Sequence, residues 1–102
     1  MKVFKAYKED VSMQKVVITV VGKDKVGIMA RVCTYLADNG INILDISQTI
    51  VQEYFNMMMI ADIAAADQSF DSLQSGLNEV GQTIGVEIKC QKEEIFEMMH
   101  RV

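Results

Sequence analysis

Residues 15–21 read Lys-Val-Val-Ile-Thr-Val-Val, β-branched and apolar at both odd and even positions. Successive strand side chains point to opposite faces, so a run that is apolar at both parities predicts a strand inside a sheet, not one at its edge. Gly22 ends the run, and from Gly27 the spacing changes. Ile28, Val32 and Leu36 recur at every fourth position, flanked by Met29 and Cys33, which is the stripe of a helix. Asp24 offers an oxygen to cap its start, and Asn39-Gly40 stops it.

A period of two then returns. Leu44, Ile46 and Ile50 fall on one face of a strand over residues 42–52, with Asp45, Ser47 and Thr49 on the other, so this strand is half solvated. Residues 54–61 are apolar apart from Asn56, with Phe55, Met57 and Met59 set against Met58 and Ile60; they predict a second inner strand, reached by a tight turn near Gln52-Glu53. Ser69 is placed to cap a second helix carrying Phe70, Leu73, Leu77 and Val80 at helical spacing. Gly76 inside that helix costs about 1 kcal/mol relative to alanine, and Gly81 and Gly85 bracket its exit. Val86, Ile88 and Cys90 alternate with Glu87, Lys89 and Gln91 as a last strand. Residues 93–101 close the chain as a short helix, acidic at its start and with His100 and Arg101 at its end, which suits the helix dipole. The order is βαββαβ plus one helix. Right-handed crossovers fold it into an α+β, ferredoxin-like sandwich: a four-stranded antiparallel sheet with two helices on one face.

The length of 102 residues fits one domain that buries about two thirds of its unfolded surface. Residues 1–13 show no period and read as a flexible extension, 14–92 as the folded unit, and 93–102 as the terminal helix. Net charge is −4 with pI near 4.8, a field that repels nucleic-acid phosphates. The largely apolar stretch of residues 16–21 is far too short to cross a bilayer, and no signal-peptide stretch follows the Lys-rich start. Cys33 and Cys90 have no CxxC spacing and read as reduced packing residues. A cytoplasmic protein with neither nucleic-acid nor membrane partners is expected.

Several activities share such a sandwich, so residues must choose among them. A metal chaperone needs CxxC in the first loop, which here reads Gly22-Lys-Asp-Lys-Val-Gly27. An RNA-binding sheet needs exposed aromatics and basic residues; only Tyr54 and Phe55 stand at one strand start. An acylphosphatase-like site needs an arginine fork in the first loop, and Lys23 and Lys25 lack it. No nucleophile–base pair is evident, so no enzyme, no metal and no cofactor is expected. Met57-Met58-Met59 cannot gather round one soft metal, because neighbours on a strand face opposite sides. Ile95, Phe96, Met98 and Met99 form an apolar stripe on the terminal helix that has to dock on this subunit or another protein.

The stretch Asp24-x-x-Gly27-Ile28-Met-Ala-Arg-Val32-x-x-Tyr-Leu36-x-x-x-Gly40-Ile41-Asn42-Ile43 resembles the signature of ACT domains, the amino-acid-sensing modules attached to many metabolic enzymes. The resemblance runs from Lys15 to Gln91. It is strongest to the short stand-alone ACT proteins of bacteria and archaea, through residues 20–28 and 45–49, with the two-ACT glycine-cleavage-repressor type as a longer relative. Val26 stands where the family often has proline. The resemblance implies a regulatory module that binds an amino acid near a subunit boundary.

The residues themselves give the same loop a chemistry. Backbone N–H groups near Val26, Gly27 and Ile28, at the positive end of the first helix, suit a carboxylate. Asp24 is placed to pair with an ammonium, and Asn42 can donate and accept beside it. Each residue also has a purely structural reading: Asp24 as a cap, Gly27 as a packing residue, Asn42 as part of the Gly40 turn. Their combination carries the ligand reading. The second strand carries no Lys, Arg or Pro between 42 and 51 and lies at a sheet edge in this topology, which predicts a homodimer joined through those edges or the adjacent first helices. A ligand-free module docking a protein partner through its terminal helix is the alternative.

Overall fold

The structure, a computed structural model, describes residues 13–23 and 25–99. Its elements are β1 (Lys15–Lys23), α1 (Ile28–Asp38), β2 (Asn42–Val51), β3 (Tyr54–Asp62), α2 (Phe70–Ile84), β4 (Glu87–Lys92) and α3 (Glu93–Met99). The four strands form one antiparallel sheet in the order β2-β3-β1-β4, which is the expected βαββαβ sandwich with a short terminal helix.

The inner position of β1 follows from its composition. Val16, Ile18 and Val20 bury one face of the strand, and Val17 is buried on the other. On β3, Phe55, Met57, Met59 and Ala61 alternate inward, and Ile88 and Cys90 do so on β4. Ile28, Val32 and Leu36 of α1 and Leu73 and Leu77 of α2 join this layer. Each fully buried aliphatic side chain of this kind contributes about 1.5–3 kcal/mol relative to exposure.

Two local features depart from a plain reading of the pattern. β2 does not keep strict alternation, because its pairing with β3 shifts between Ile43 and Asp45. Ile43 lies opposite Ala61 and Ile46 opposite Met59, so both face the helix layer although they are three residues apart. The extra residue, Leu44, belongs to a β-bulge. The turn from Val51 to Tyr54 contains only Gln52 and Glu53, and Gln52 takes φ 58°, the left-handed backbone that primed hairpin turns demand at their first position.

The helix ends are set as follows. Ser69 caps α2, its Oγ accepting from the Ser72 N–H at 3.2 Å. At the other end the N–H groups of Gly85 and Val86 both donate to the Gly81 carbonyl. α1 differs from expectation: its N-cap position is Gly27, with φ 88° and no side chain to offer, while Asp24 lies outside the described residues. The helix therefore starts through backbone geometry. Asn39 caps the far end, and its Nδ2 donates to the Tyr35 carbonyl at 2.8 Å. On α3, Ile95 and Met98 are exposed; the His100 end of the expected helix lies outside the described residues, as does the side chain of Met99.

Candidate ligand-binding site

The loop between β1 and α1 opens at the end of the sheet where Lys23 pairs with Tyr54 and Tyr54 with Val51. The glycine conformation at Gly27 turns the chain so that the first helical bond, from the Arg31 N–H to the Gly27 carbonyl, closes at 2.9 Å. No acidic side chain occupies the first turn of α1. The early N–H groups of a helix have no intrahelical acceptor and carry the positive end of its dipole. Of the expected donors, the Ile28 N–H is directed at the Lys25 carbonyl at 3.5 Å, a long and weak contact.

Beside this helix start runs a shallow groove of about 590 Å³, lined by Lys25, Gly27, Ile28, Met29, Ala30, Cys33, Gln48, Ile50 and Phe55. It is open to solvent along its length and offers a contact surface beside the helix start, not an enclosed cavity. Ile28 and Phe55 are buried in its floor, and Ile50 is half exposed on its wall. Two residues expected at the site, Gly27 and Ile28, thus line the groove. Val26 is fully exposed in the turn and its side chain takes no part in the lining. Asp24 lies outside the described residues.

Asn42 stands elsewhere. It pairs with Asp62, which in turn pairs with Lys15, at the opposite end of the sheet from the loop. The length of β1, about 3.3 Å per residue, puts it roughly 25 Å from Gly27 within one protomer. Met29, Cys33, Gln48, Ile50 and Phe55 line the groove as well, and no motif in the sequence marks them. A signal for Gln48 and Ile50 existed in the period of two on β2, which sets them on the face that α1 flanks.

The side chain of Lys25 reaches across to the end of α2. Its Nζ lies 2.5 Å from where a Cβ on Gly85 would stand, at the carbonyl end of α2. A cation there is favoured by the helix dipole. Among the described residues no group of three His, Cys, Asp or Glu side chains is placed to hold a metal ion. None of their helices is long and apolar enough to cross a membrane.

The family model that matches the chain is that of the ACT domain, over residues 14–91. The chain belongs to the ACT-domain family, a regulatory type of domain. It is similar to a UPF0237 protein of Bifidobacterium longum, 59% identical over 90 residues, which are 88% of this chain and 100% of the relative. Among solved structures it resembles an ACT domain protein from Streptococcus pneumoniae, with TM-score 0.71 and 46% identity, covering 84% of this chain and 96% of the other. A protein provisionally assigned as a glycine cleavage system transcriptional repressor gives TM-score 0.68 and 25% identity, covering 78% of this chain and 45% of that longer one.

Proposed function

We propose that this chain is a ligand-responsive regulatory protein without enzymatic activity of its own, which binds an amino acid in the groove at the start of α1 as a homodimer. Residues 14–92 form the binding unit, with 93–102 as an appended helix. The carboxylate sits on N–H groups at Val26, Gly27 and Ile28, and the ammonium is assigned to the charge of Asp24. No cofactor takes part, and the protein works in the cytoplasm.

The observation that carries this reading is the position of the groove, between the helix start and the free edge of β2. The outer position of β2, whose Gln48 and Ile50 line the groove, supports the dimer. A two-fold axis across β2 near Thr49 runs two copies antiparallel and brings the loop ends of both, each with its groove, beside the seam. A site made in this way couples ligand to assembly, because a ligand touching both copies favours the arrangement it binds better. The similar protein assigned as a transcriptional repressor is consistent with a regulatory output.

Thermal unfolding with each of the twenty amino acids tests the reading. A ligand at one hundred times its dissociation constant adds about 2.7 kcal/mol of stability, and Asp24→Ala should reduce that gain. No gain with any amino acid would remove amino-acid sensing. A second reading, docking of a protein partner through α3, has its own support in Ile95 and Met98, 45% and 72% exposed on that helix. Deletion of residues 93–102 would then abolish partner capture and leave any amino-acid response intact.

A further inference from the structure

We propose that Asp45 sets the register in which two copies of the chain join, by covering the edge N–H of Ile46 so that Gln48 and Ile50 alone carry the inter-copy ladder. The inference rests on the homodimer proposed above and concerns how its edges meet.

β2 is an outer strand of the sheet. Its two-residue hairpin closes on the pair Val51 and Tyr54, and alternation then directs the N–H and C=O groups of Val51, Thr49 and Ser47 toward β3. Those of Ile46, Gln48 and Ile50 point away, to the free edge. An independent contact agrees: the Ile46 N–H donates to the Asp45 Oδ1 at 2.9 Å, away from the paired strand. Beyond Asp45 the bulge at Leu44 breaks the edge. The usable edge is therefore short, bounded by a covered N–H on one side and by the left-handed Gln52 on the other.

The occupant of this edge is a second copy of the same chain, because residues 46–52 carry no charge and two identical strands meet there without repulsion. A two-fold centred on Gln48 would pair Ile46 with Ile50 and need the covered Ile46 N–H twice. One centred on Thr49 pairs Gln48 with Ile50 in both directions and leaves Ile46 out. It also sets Thr49 opposite Thr49 as a close, non-hydrogen-bonded pair with Cα atoms about 4.5 Å apart. Cross-strand Thr pairs are favourable.

Disulfide trapping reads the register, because a bridge needs Cα atoms about 4.4–6.8 Å apart. In a Cys33→Ser background, sedimentation first reports whether the protein is dimeric. Thr49→Cys should then oxidise to a covalent dimer at least tenfold faster than Gln48→Cys. Adding Asp45→Ala, which frees the Ile46 N–H, should raise trapping through Gln48→Cys, whereas Asp45→Asn, which keeps an acceptor, should not. Faster trapping through Gln48→Cys with Asp45 intact would overturn the register. A monomer throughout would overturn the dimer itself, and with it this inference.

Discussion

Gly76 of α2 leaves the space that the Tyr35 phenol of α1 fills, so that a Cβ at Gly76 would overlap the Tyr35 hydroxyl. The two helices approach closely because one of them lacks a side chain at the crossing. A glycine inside a helix normally weakens it by about 1 kcal/mol relative to alanine; here close packing offsets that loss.

Gly76→Ala should therefore destabilise the protein, by about 1–2 kcal/mol net, against the gain that helix propensity alone would give. Urea unfolding of Gly76→Ala, Tyr35→Phe and the double variant measures it. In the double variant the hydroxyl is gone but the ring carbon that carried it still lies 2.7 Å from the added Cβ, so only part of the loss should return.

Gln52→Gly should stabilise the fold. Gln52 holds φ 58° in the β2–β3 hairpin, a conformation that glycine adopts without strain. The expected gain is about 0.5–1 kcal/mol in thermal unfolding, small because the unfolded glycine chain is also more flexible.

Gly27→Ala should act the other way. Open space surrounds the position, with nothing within 4 Å of an added Cβ, so the penalty comes from φ 88° alone. A loss of about 1 kcal/mol follows, accompanied by a weakened amino-acid response if the loop backbone holds the ligand.

Cys90 brings a dependence on alkaline pH. Burial pushes its thiol up from 9.0 to about 11, because the thiolate would lose its water. The folded state therefore keeps the proton that the unfolded chain releases above pH 9. The stability from this group is fully present below pH 9 and is lost as pH rises through 11, by about 3 kcal/mol at most. Urea unfolding between pH 8 and 11 should show a shallower decline for Cys90→Ala than for the natural chain. Identical slopes would contradict this assignment.

Much of the fold was legible in the order of residues because burial imposes a period. The doubly apolar stretch of β1, the fourfold spacing on α1 and the Ser69 cap each mark their element before any coordinates are known. The bulge at Leu44 was not legible, since an inserted residue shifts the phase of alternation without changing the residue types. Nor was the role of Gly27, where a cap made by backbone geometry leaves no side-chain signature. The site was half legible. Gly27 and Ile28 line one groove because they are neighbours on one loop, whereas Asn42 depends on strand direction, which sends it to the far end of the sheet.

The most direct measurement of amino-acid binding between two copies is an NMR titration of the uniformly labelled protein with the amino acid that raises its stability most. Expected are shifts in the amides of Val26, Gly27 and Ile28 together with those of Thr49 and Ile50 at the seam between copies, at one common dissociation constant. Shifts in the loop with Thr49 and Ile50 unmoved, or shifts confined to α3, would contradict a site shared by two protomers.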